Sequence, residues 1–200
     1  MLKIYHVRGT RSVRPIWLCY ELETAFEIAP IDFAPEFRNS PQWRALSPAG
    51  KVPVMTDGDM TMFESGAMVD YILERYGEGR LRPTPGTTAS AMHHQWCWFS
   101  EATLARPLGL YRIMQADAQS LPSLPAEAEQ KARDCLAVVD QAVADRTFLL
   151  GPAFDAADIM MGYSLQLIAG LKLLDDTYPH AQAYLERLKE RPACKRAMNA

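Results

Sequence analysis

The hydrophobic pattern of this chain changes part-way along its length. Over residues 1–76 short apolar runs are separated by Gly, Pro, Asn or Asp, and such runs predict strands interleaved with helices. Beyond them the apolar residues recur at intervals of three and four, which is the spacing of a helix face. The pattern therefore predicts a mixed first part and an all-helical second part.

The first part predicts four strands and three helices. Residues 2–7 form the first predicted strand, and a helix follows from Val13 with Pro15 in its first turn, where proline is tolerated. A strand-helix-strand order calls for a parallel pair, whereas Asp57-Gly58 is a strong signal for an antiparallel hairpin. We expect an α/β domain over residues 1–76 with a mixed four-stranded sheet.

Gly and Pro cluster over residues 77–87, and this segment predicts a linker. Residues 88–200 then predict an all-α domain. Its first helix should run over 88–116 and bend just before Pro107, because proline breaks the hydrogen-bond ladder of a helix. Asp155 and Asp158 predict a variant capping box at the start of a later helix. This helix, over 159–171, is apolar nearly all round, so we expect it at the centre of this domain.

Composition excludes several classes of partner. The chain has 200 residues, is 48% hydrophobic and 22% charged, and carries a net charge of −3 with no basic block. Nucleic acid and anionic membrane surfaces are therefore not expected partners. No apolar run reaches the length of a bilayer span, and the first residues predict a strand rather than a signal peptide, so we expect no membrane association.

The cysteines and histidines favour neither a disulfide framework nor a metal site. The cysteines stand far apart and form no C-x-x-C pair, and the histidines show no ligand spacing: Cys19, Cys97, Cys135 and Cys194; His6, His93, His94 and His180. The neighbouring residues His93 and His94 point to different helix faces. We expect a metal-free protein of a reducing, cytoplasmic compartment.

Two short stretches of the first part suggest a binding site. Val52-Pro53 lies where a loop should become a strand, and a cis bond there would turn the backbone of Val52 outward to pair with an extended peptide. Glu64-Ser65 opens a helix, whose free N–H groups and dipole favour a carboxylate. The alternative interpretation is an ordinary strand start followed by a capping pair.

The whole chain resembles a cytosolic glutathione S-transferase. The resemblance rests on Val52-Pro53 and Glu64-Ser65 in the first part and on residues 148–151 and 155–159 in the second, motifs about a hundred residues apart. It implies a thioredoxin-like domain over 1–76, a helical domain over 88–200, a homodimer, and glutathione as co-substrate. It implies that the backbone at Val52 and Pro53 pairs with the cysteinyl part of glutathione.

The resemblance also assigns residues to the two ends of the tripeptide. Glu64 and Ser65 would hold the γ-glutamyl end, and Lys51 would lie near the glycyl carboxylate, to which it offers a point charge. Arg11 and Arg14 would add positive charge near the sulfur. Glu101 could reach across the dimer toward the γ-glutamyl ammonium, although a solvated helix face is the commoner explanation of such a residue.

The chain lacks the tyrosine that many members carry before the first helix, and it has no cysteine in the loop over residues 9–14. It looks most like the serine-type members, in which a hydroxyl donates to the glutathione sulfur. Thr10 and Ser12 compete for this role: counting back from Arg14 favours Thr10, and side-chain type favours Ser12. We rank Thr10 first. The alternative for both hydroxyls is N-capping of the helix.

The acceptor site is predicted from apolar and aromatic residues of the helical domain. Arg106, Tyr111, Met114 and Tyr163 are candidates for its wall, although such residues at helical spacing are usually core. The predicted function is a transferase of the detoxification type, joining the glutathione thiol to a hydrophobic electrophile. The alternatives are a non-catalytic module of the same fold that binds glutathione, a ligand or a protein, and a glutathione-dependent peroxidase or isomerase.

Overall fold

The computed structural model describes residues 1–116 and 123–200, with side chains described in 1–111 and 125–200. These residues divide into two compact units. The first consists of Met1–Leu81 together with Glu190–Ala200, and the second of Arg82–Lys189.

The first unit is built on a four-stranded mixed sheet, as the sequence predicts. Its elements are, in chain order, β1 (Leu2–His6), α1 (Val13–Leu22), β2 (Phe26–Pro30), α2 (Pro35–Arg38), α3 (Pro41–Leu46), β3 (Val54–Asp57), β4 (Met60–Phe63) and α4 (Ser65–Tyr76). The strand order is β2-β1-β3-β4. Strand β1 pairs in parallel with β2 and antiparallel with β3. The hairpin predicted at Asp57-Gly58 joins β3 to β4, and Gly58 supplies the positive φ of +57°.

Apolar side chains of α1 and α4 cover the sheet. Ile16 and Trp17 of α1 and Met68 and Ile72 of α4 are fully buried, together with Ile4 from β1. Met68 and Ile72 are four residues apart on α4, and β1 is buried at every second residue, which is the pattern that buries one face of an element, whereas α1 is buried over most of its surface.

A helix near the end of the chain belongs to the first unit. This helix, α10 (Pro192–Met198), packs against α1, and Arg191 before it forms two 2.7 Å hydrogen bonds to the carboxylate of Glu21. Pro192 occupies the first turn of α10, where no N–H is needed. The segment thus lies outside the helical domain predicted over 88–200, and local patterns could not indicate this, because Arg191 and its partner Glu21 are 170 residues apart in the chain.

The second unit is helical in its described residues. It contains α5 (Thr88–Trp98), a π-helical segment (Phe99–Leu104), α6 (Ala105–Ala116), α7 (Ser123–Ala142), α8 (Ala156–Gly170) and α9 (Pro179–Lys189). The irregular segment lies immediately before α6, in the part of the long predicted helix where Pro107 was expected to cause a bend. Helix α8 is buried over most of its length and packs on α5 and α9, so it is the central helix that its composition predicts.

The start of α8 is fixed by a reciprocal pair of carboxylates. Asp155 accepts a hydrogen bond from Ala157 N (2.8 Å), and Asp158 accepts one from Asp155 N (2.9 Å), which is the predicted capping box. Asp158 also accepts from Leu149 N (3.0 Å) and Tyr184 Oη (2.6 Å). Burial outweighs these hydrogen bonds and raises the pKa of Asp158 to about 6. In residues 1–116 and 123–200, every helix is too short or too polar to cross a bilayer.

Candidate active site

The sheet register brings three loops of the first unit to one edge. Tyr5 of β1 pairs with Val54 of β3, so the residues that follow β1 lie beside those that precede β3. Val54 also pairs with Phe63 of β4, which places the start of α4 next to the same edge. A hydrogen bond from Arg14 Nη1 to Ser65 Oγ (3.1 Å, both side chains buried) joins the start of α1 to the start of α4.

The peptide bond between Val52 and Pro53 is cis, as predicted. Ahead of it, the buried hydroxyl of Ser47 fixes the chain by accepting from Lys51 N (2.9 Å) and donating to Lys51 O (2.8 Å). The Lys51 side chain is exposed. Within the described residues, neither backbone group of Val52 forms a hydrogen bond with the protein. Val52 thus presents a donor and an acceptor at a half-buried position.

The start of α4 has no side-chain cap. Glu64, the residue before it, is exposed and has φ +75° and ψ +109°, a conformation that costs a residue other than glycine roughly 1–3 kcal/mol. The N–H groups of Ser65, Gly66 and Ala67 donate to no other group in the part of the chain that the structure describes. N–H donors without protein acceptors and the positive end of a helix dipole are the features that favour an anion.

The two candidate hydroxyls belong to one hydrogen-bonded chain. Ser12 Oγ lies 2.8 Å from His6 Nδ1 and 2.7 Å from Thr10 Oγ1, and Thr10 Oγ1 lies 2.7 Å from Val7 O. On the other side of the histidine ring, His6 Nε2 lies 3.2 Å from the backbone oxygen of Ala200. Burial lowers the pKa of His6, and its hydrogen bond to Ala200 opposes this effect without reversing it.

The direction of these hydrogen bonds follows from the carbonyl at Ala200. A carbonyl oxygen accepts and never donates, so His6 Nε2 carries the proton of the neutral ring and Nδ1 is the acceptor. Ser12 Oγ has two acceptors within reach, His6 Nδ1 at 2.8 Å and Val7 O at 3.4 Å, and its single proton goes to the nearer one, His6. The proton of Thr10 can point to Val7 O or to Ser12 Oγ, and it is the proton that an incoming acceptor could redirect.

Solvent exposure also distinguishes Thr10 from Ser12. Ser12 is completely buried, whereas Thr10 is partly accessible. Ser12 also gives no side-chain cap to α1. Arg11, predicted to add positive charge, lies between them in the loop and is half-exposed.

The residues predicted for the acceptor wall lie in the second unit, and the structure gives them different environments. Tyr111 and Tyr163 are buried at 7% and 4% exposure. Arg106 is exposed and lines an open cavity of about 670 Å³ with Thr103 and Leu110. Glu101 lies half-exposed in the π-helical segment, and Met114 lies outside the residues whose side chains are described.

Two contributors to this site were not predicted from the sequence. His6 orients Ser12, and Ser47 fixes the backbone of Lys51. Their sequence signal is weak, because a buried polar residue in a loop or at a strand end cannot be distinguished from an exposed one without its partner.

Comparison with known proteins identifies both parts of the chain. Residues 1–74 match the family model described as "Glutathione S-transferase, N-terminal domain", and residues 101–187 match "Glutathione S-transferase, C-terminal domain". Relatives include Glutathione S-transferase 3 of Schizosaccharomyces pombe, 24% identical over 98% of this chain and 86% of that protein. Another is Glutathione S-transferase F9 of Arabidopsis thaliana, 28% identical over 98% and 95%.

A solved structure shares the fold. The glutathione transferase URE2P8 from Phanerochaete chrysosporium, solved with oxidised glutathione, superposes with a TM-score of 0.89 at 22% identity, over 99% of this chain and 93% of that one. The two family models together match well over half of the present sequence, in the order of the two domain types. The chain therefore belongs to the glutathione S-transferase family.

Proposed function

We propose that this protein is a glutathione transferase in which Thr10 donates a hydrogen bond to the glutathione thiolate, which then attacks a hydrophobic electrophile. The observation that carries the proposal is the grouping of main-chain sites without protein partners, at Val52 and at the start of α4, within the described part of the first unit. An extended tripeptide with a free carboxylate supplies the complementary groups.

Each part of glutathione has a candidate partner. The cysteinyl backbone would pair with the N–H and C=O of Val52 next to Pro53. The γ-glutamyl carboxylate would accept from the N–H groups at Ser65 and beyond, with its ammonium beside Glu64. Lys51 and Arg11 would supply positive charge for the glycyl carboxylate and the sulfur. The relatives' names and the oxidised glutathione in the URE2P8 structure support this ligand.

The hydroxyl is sufficient in magnitude to activate the thiol. A free thiol has a pKa of about 8.5, and lowering it by two requires roughly 2.7 kcal/mol of preference for the anion. A hydrogen bond to a charged group supplies about 1.5–3 kcal/mol, and the start of α1 adds a favourable dipole. Thr10 is the favoured donor because Ser12 is buried and commits its proton to His6.

The decisive experiment compares Thr10→Ala with Thr10→Ser. We expect the alanine variant to lower kcat/KM about 10–100-fold with an aryl halide electrophile, while the serine variant stays near wild type. Thiolate absorbance of the bound glutathione, followed against pH, should show a higher thiol pKa in the alanine variant only. Calorimetric binding of glutathione should change little, because Thr10 acts on the sulfur rather than on the backbone of the tripeptide.

Four results would overturn parts of the proposal. An unchanged pH profile in Thr10→Ala would remove Thr10 from the mechanism, and a large change in Ser12→Ala alone would transfer the role to Ser12. Binding of glutathione without turnover of a panel of electrophiles would favour a binding module. Turnover of peroxides or of isomerisable substrates in the same panel would indicate a related reaction.

The homodimer is tested by sedimentation, which gives the mass of the species in solution.

A further inference from the structure

A cysteine, a histidine and an aspartate form a hydrogen-bonded series in the second unit. Cys97 Sγ lies 3.7 Å from His93 Nε2, and His93 Nδ1 lies 3.0 Å from Asp155 Oδ2. Cys97 and His93 are four residues apart on one face of α5, and Asp155 lies at the start of α8, which packs on α5. A thiol next to an imidazole that a carboxylate orients is the arrangement that activates cysteine nucleophiles.

The acceptors in this series fix the positions of its protons. Asp155 Oδ1 is occupied by the N–H of Ala157, which leaves Oδ2 to accept from His93 Nδ1. The neutral imidazole then carries its proton on Nδ1, and Nε2 faces the sulfur with a lone pair. Nε2 can therefore accept the proton of Cys97. The buried carboxylate of Asp155 would stabilise the imidazolium that results.

Two of the other cysteines differ from Cys97. Cys135 in α7 is also half-exposed, but its thiol faces a backbone oxygen, that of Thr103 at 4.0 Å. Burial and the neighbouring Asp134 raise the pKa of the Cys135 thiol. Cys19 is fully buried, and burial raises its pKa to about 12. Cys135 is thus a matched internal control in the same unit.

Three titratable groups of the second unit lie close to the series along the chain or in space: His94, Asp158 and Glu101. His94 packs edge-on against the ring of His93, with centroids 5.3 Å apart. Asp158 lies behind Asp155 in the capping box, and Glu101 follows Cys97 by one turn. These carboxylates favour an imidazolium and disfavour a thiolate, so a reactive Cys97 depends on the proton acceptor His93.

We propose that Cys97 is a reactive thiol that exchanges with low-molecular-weight disulfides, of which oxidised glutathione is the probe. The thiol proton passes to His93 Nε2, and the thiolate attacks one sulfur of the disulfide. A bond forms between Cys97 Sγ and that sulfur while the original S–S bond breaks. The departing thiolate takes the electron pair and then the proton from His93. The products are a mixed disulfide on Cys97 and one reduced thiol.

The first test needs no variant. The unmodified protein is treated with limiting iodoacetamide over a pH series, and peptide mass spectrometry gives the alkylation rate at each cysteine. At pH 7 we expect Cys97 to react about tenfold faster than Cys135, because the thiolate is the reactive form. The alkylation rate of Cys97 should also reach its plateau at a lower pH than that of Cys135. Equal rates, or a Cys97 profile centred at the pH of an ordinary thiol, would overturn the proposal.

Three variants test the series itself. Asp155→Asn keeps a side-chain oxygen to cap α8 but removes the acceptor for His93 Nδ1, and His93→Gln removes the base. We expect both to slow alkylation of Cys97 about tenfold and to leave Cys135 unchanged. His94→Gln is the matched control and should leave both rates unchanged. Fast alkylation of Cys97 in correctly folded Asp155→Asn and His93→Gln proteins would rule out activation by this series.

The last test uses the disulfide. Incubation with oxidised glutathione at pH 7 should add one glutathione moiety at Cys97, reversible by dithiothreitol and absent in Cys97→Ser. The conjugating activity of Cys97→Ser should match that of the wild type. The assay of conjugation therefore tests the proposed transferase function, and the addition of glutathione to Cys97 tests the reactive thiol independently. Labelling at Cys135 in place of Cys97 would overturn the proposal.

Discussion

Two helices in this molecule differ in how their N-termini are capped. Helix α8 begins with a complete capping box, in which every hydrogen bond is made by buried protein groups. Helix α4 begins with an exposed Glu64 at positive φ and with no side-chain cap. A capped start stabilises the fold, whereas an uncapped start leaves N–H donors available to a ligand. The difference distinguishes a structural helix end from a candidate binding site without reference to sequence motifs.

Removing the capping carboxylate of α8 should have the largest effect. In Asp158→Ala three buried donors, at Leu149, Asp155 and Tyr184, lose their acceptor. We expect the free energy of unfolding to fall by about 3–5 kcal/mol, measured by urea denaturation. The exposed Asp145→Ala is the control and should change it by less than about 0.5 kcal/mol. A small effect of Asp158→Ala would mean that the cap is not structural.

The buried cap should also make stability depend on pH. The pKa of Asp158 is raised to about 6 by burial, so between pH 4 and 6 the folded chain holds a proton that the unfolded chain has released. The contribution of Asp158 to the free energy of unfolding therefore decreases as the pH rises through this window, by about 2.7 kcal/mol in total. NMR titration of its carboxyl carbon should give a midpoint near 6, and a midpoint near 4 would contradict the assignment.

Changes at the start of α4 should affect binding rather than folding. Glu64→Gly relieves the positive φ and removes the carboxylate, so we expect glutathione to bind about 10–100-fold more weakly with no loss of stability. Glu64→Gln keeps the side-chain shape and the backbone conformation without the charge, and it isolates the electrostatic part. Calorimetry and urea denaturation give the two quantities. Loss of stability with unchanged affinity would place Glu64 among the structural residues.

An ordinary cap provides the smallest expected effect. Thr87 Oγ1 accepts from Ser90 N (3.2 Å) at the start of α5. Thr87→Ala should lower the free energy of unfolding by about 1 kcal/mol, because one of the first N–H groups loses its acceptor. Glutathione affinity should not change. A loss of affinity comparable to that of Glu64→Gly would remove the distinction between the two kinds of helix start.

Local signals in the sequence predicted much of the fold. Asp57-Gly58 specified a hairpin, and Asp155 with Asp158 specified a capping box, because each acts on neighbouring backbone groups. The alternation of apolar residues likewise predicted which faces are buried. The packing of α10 on α1 was not predicted, since no short-range pattern indicates where a terminal helix docks.

The sequence indicated candidate residues for the site but not the hydrogen bonds between them. The choice between Thr10 and Ser12 depends on burial and on which way a proton points, and both follow from His6 and Ala200, which no spacing rule connects. His93 and Asp155 are likewise 62 positions apart, and each has an ordinary explanation alone. Only their distance in the folded chain makes Cys97 a candidate nucleophile.

The docking of α10 makes the first unit discontinuous in sequence. The chain leaves this unit after Leu81, builds the helical unit, and returns at Glu190 to complete it. A fragment cut at residue 81 would therefore lack the helix that covers one side of α1 and the arginine that pairs with Glu21. To express the first unit by itself, residues 190–200 would have to be fused to residue 81 through a short artificial linker.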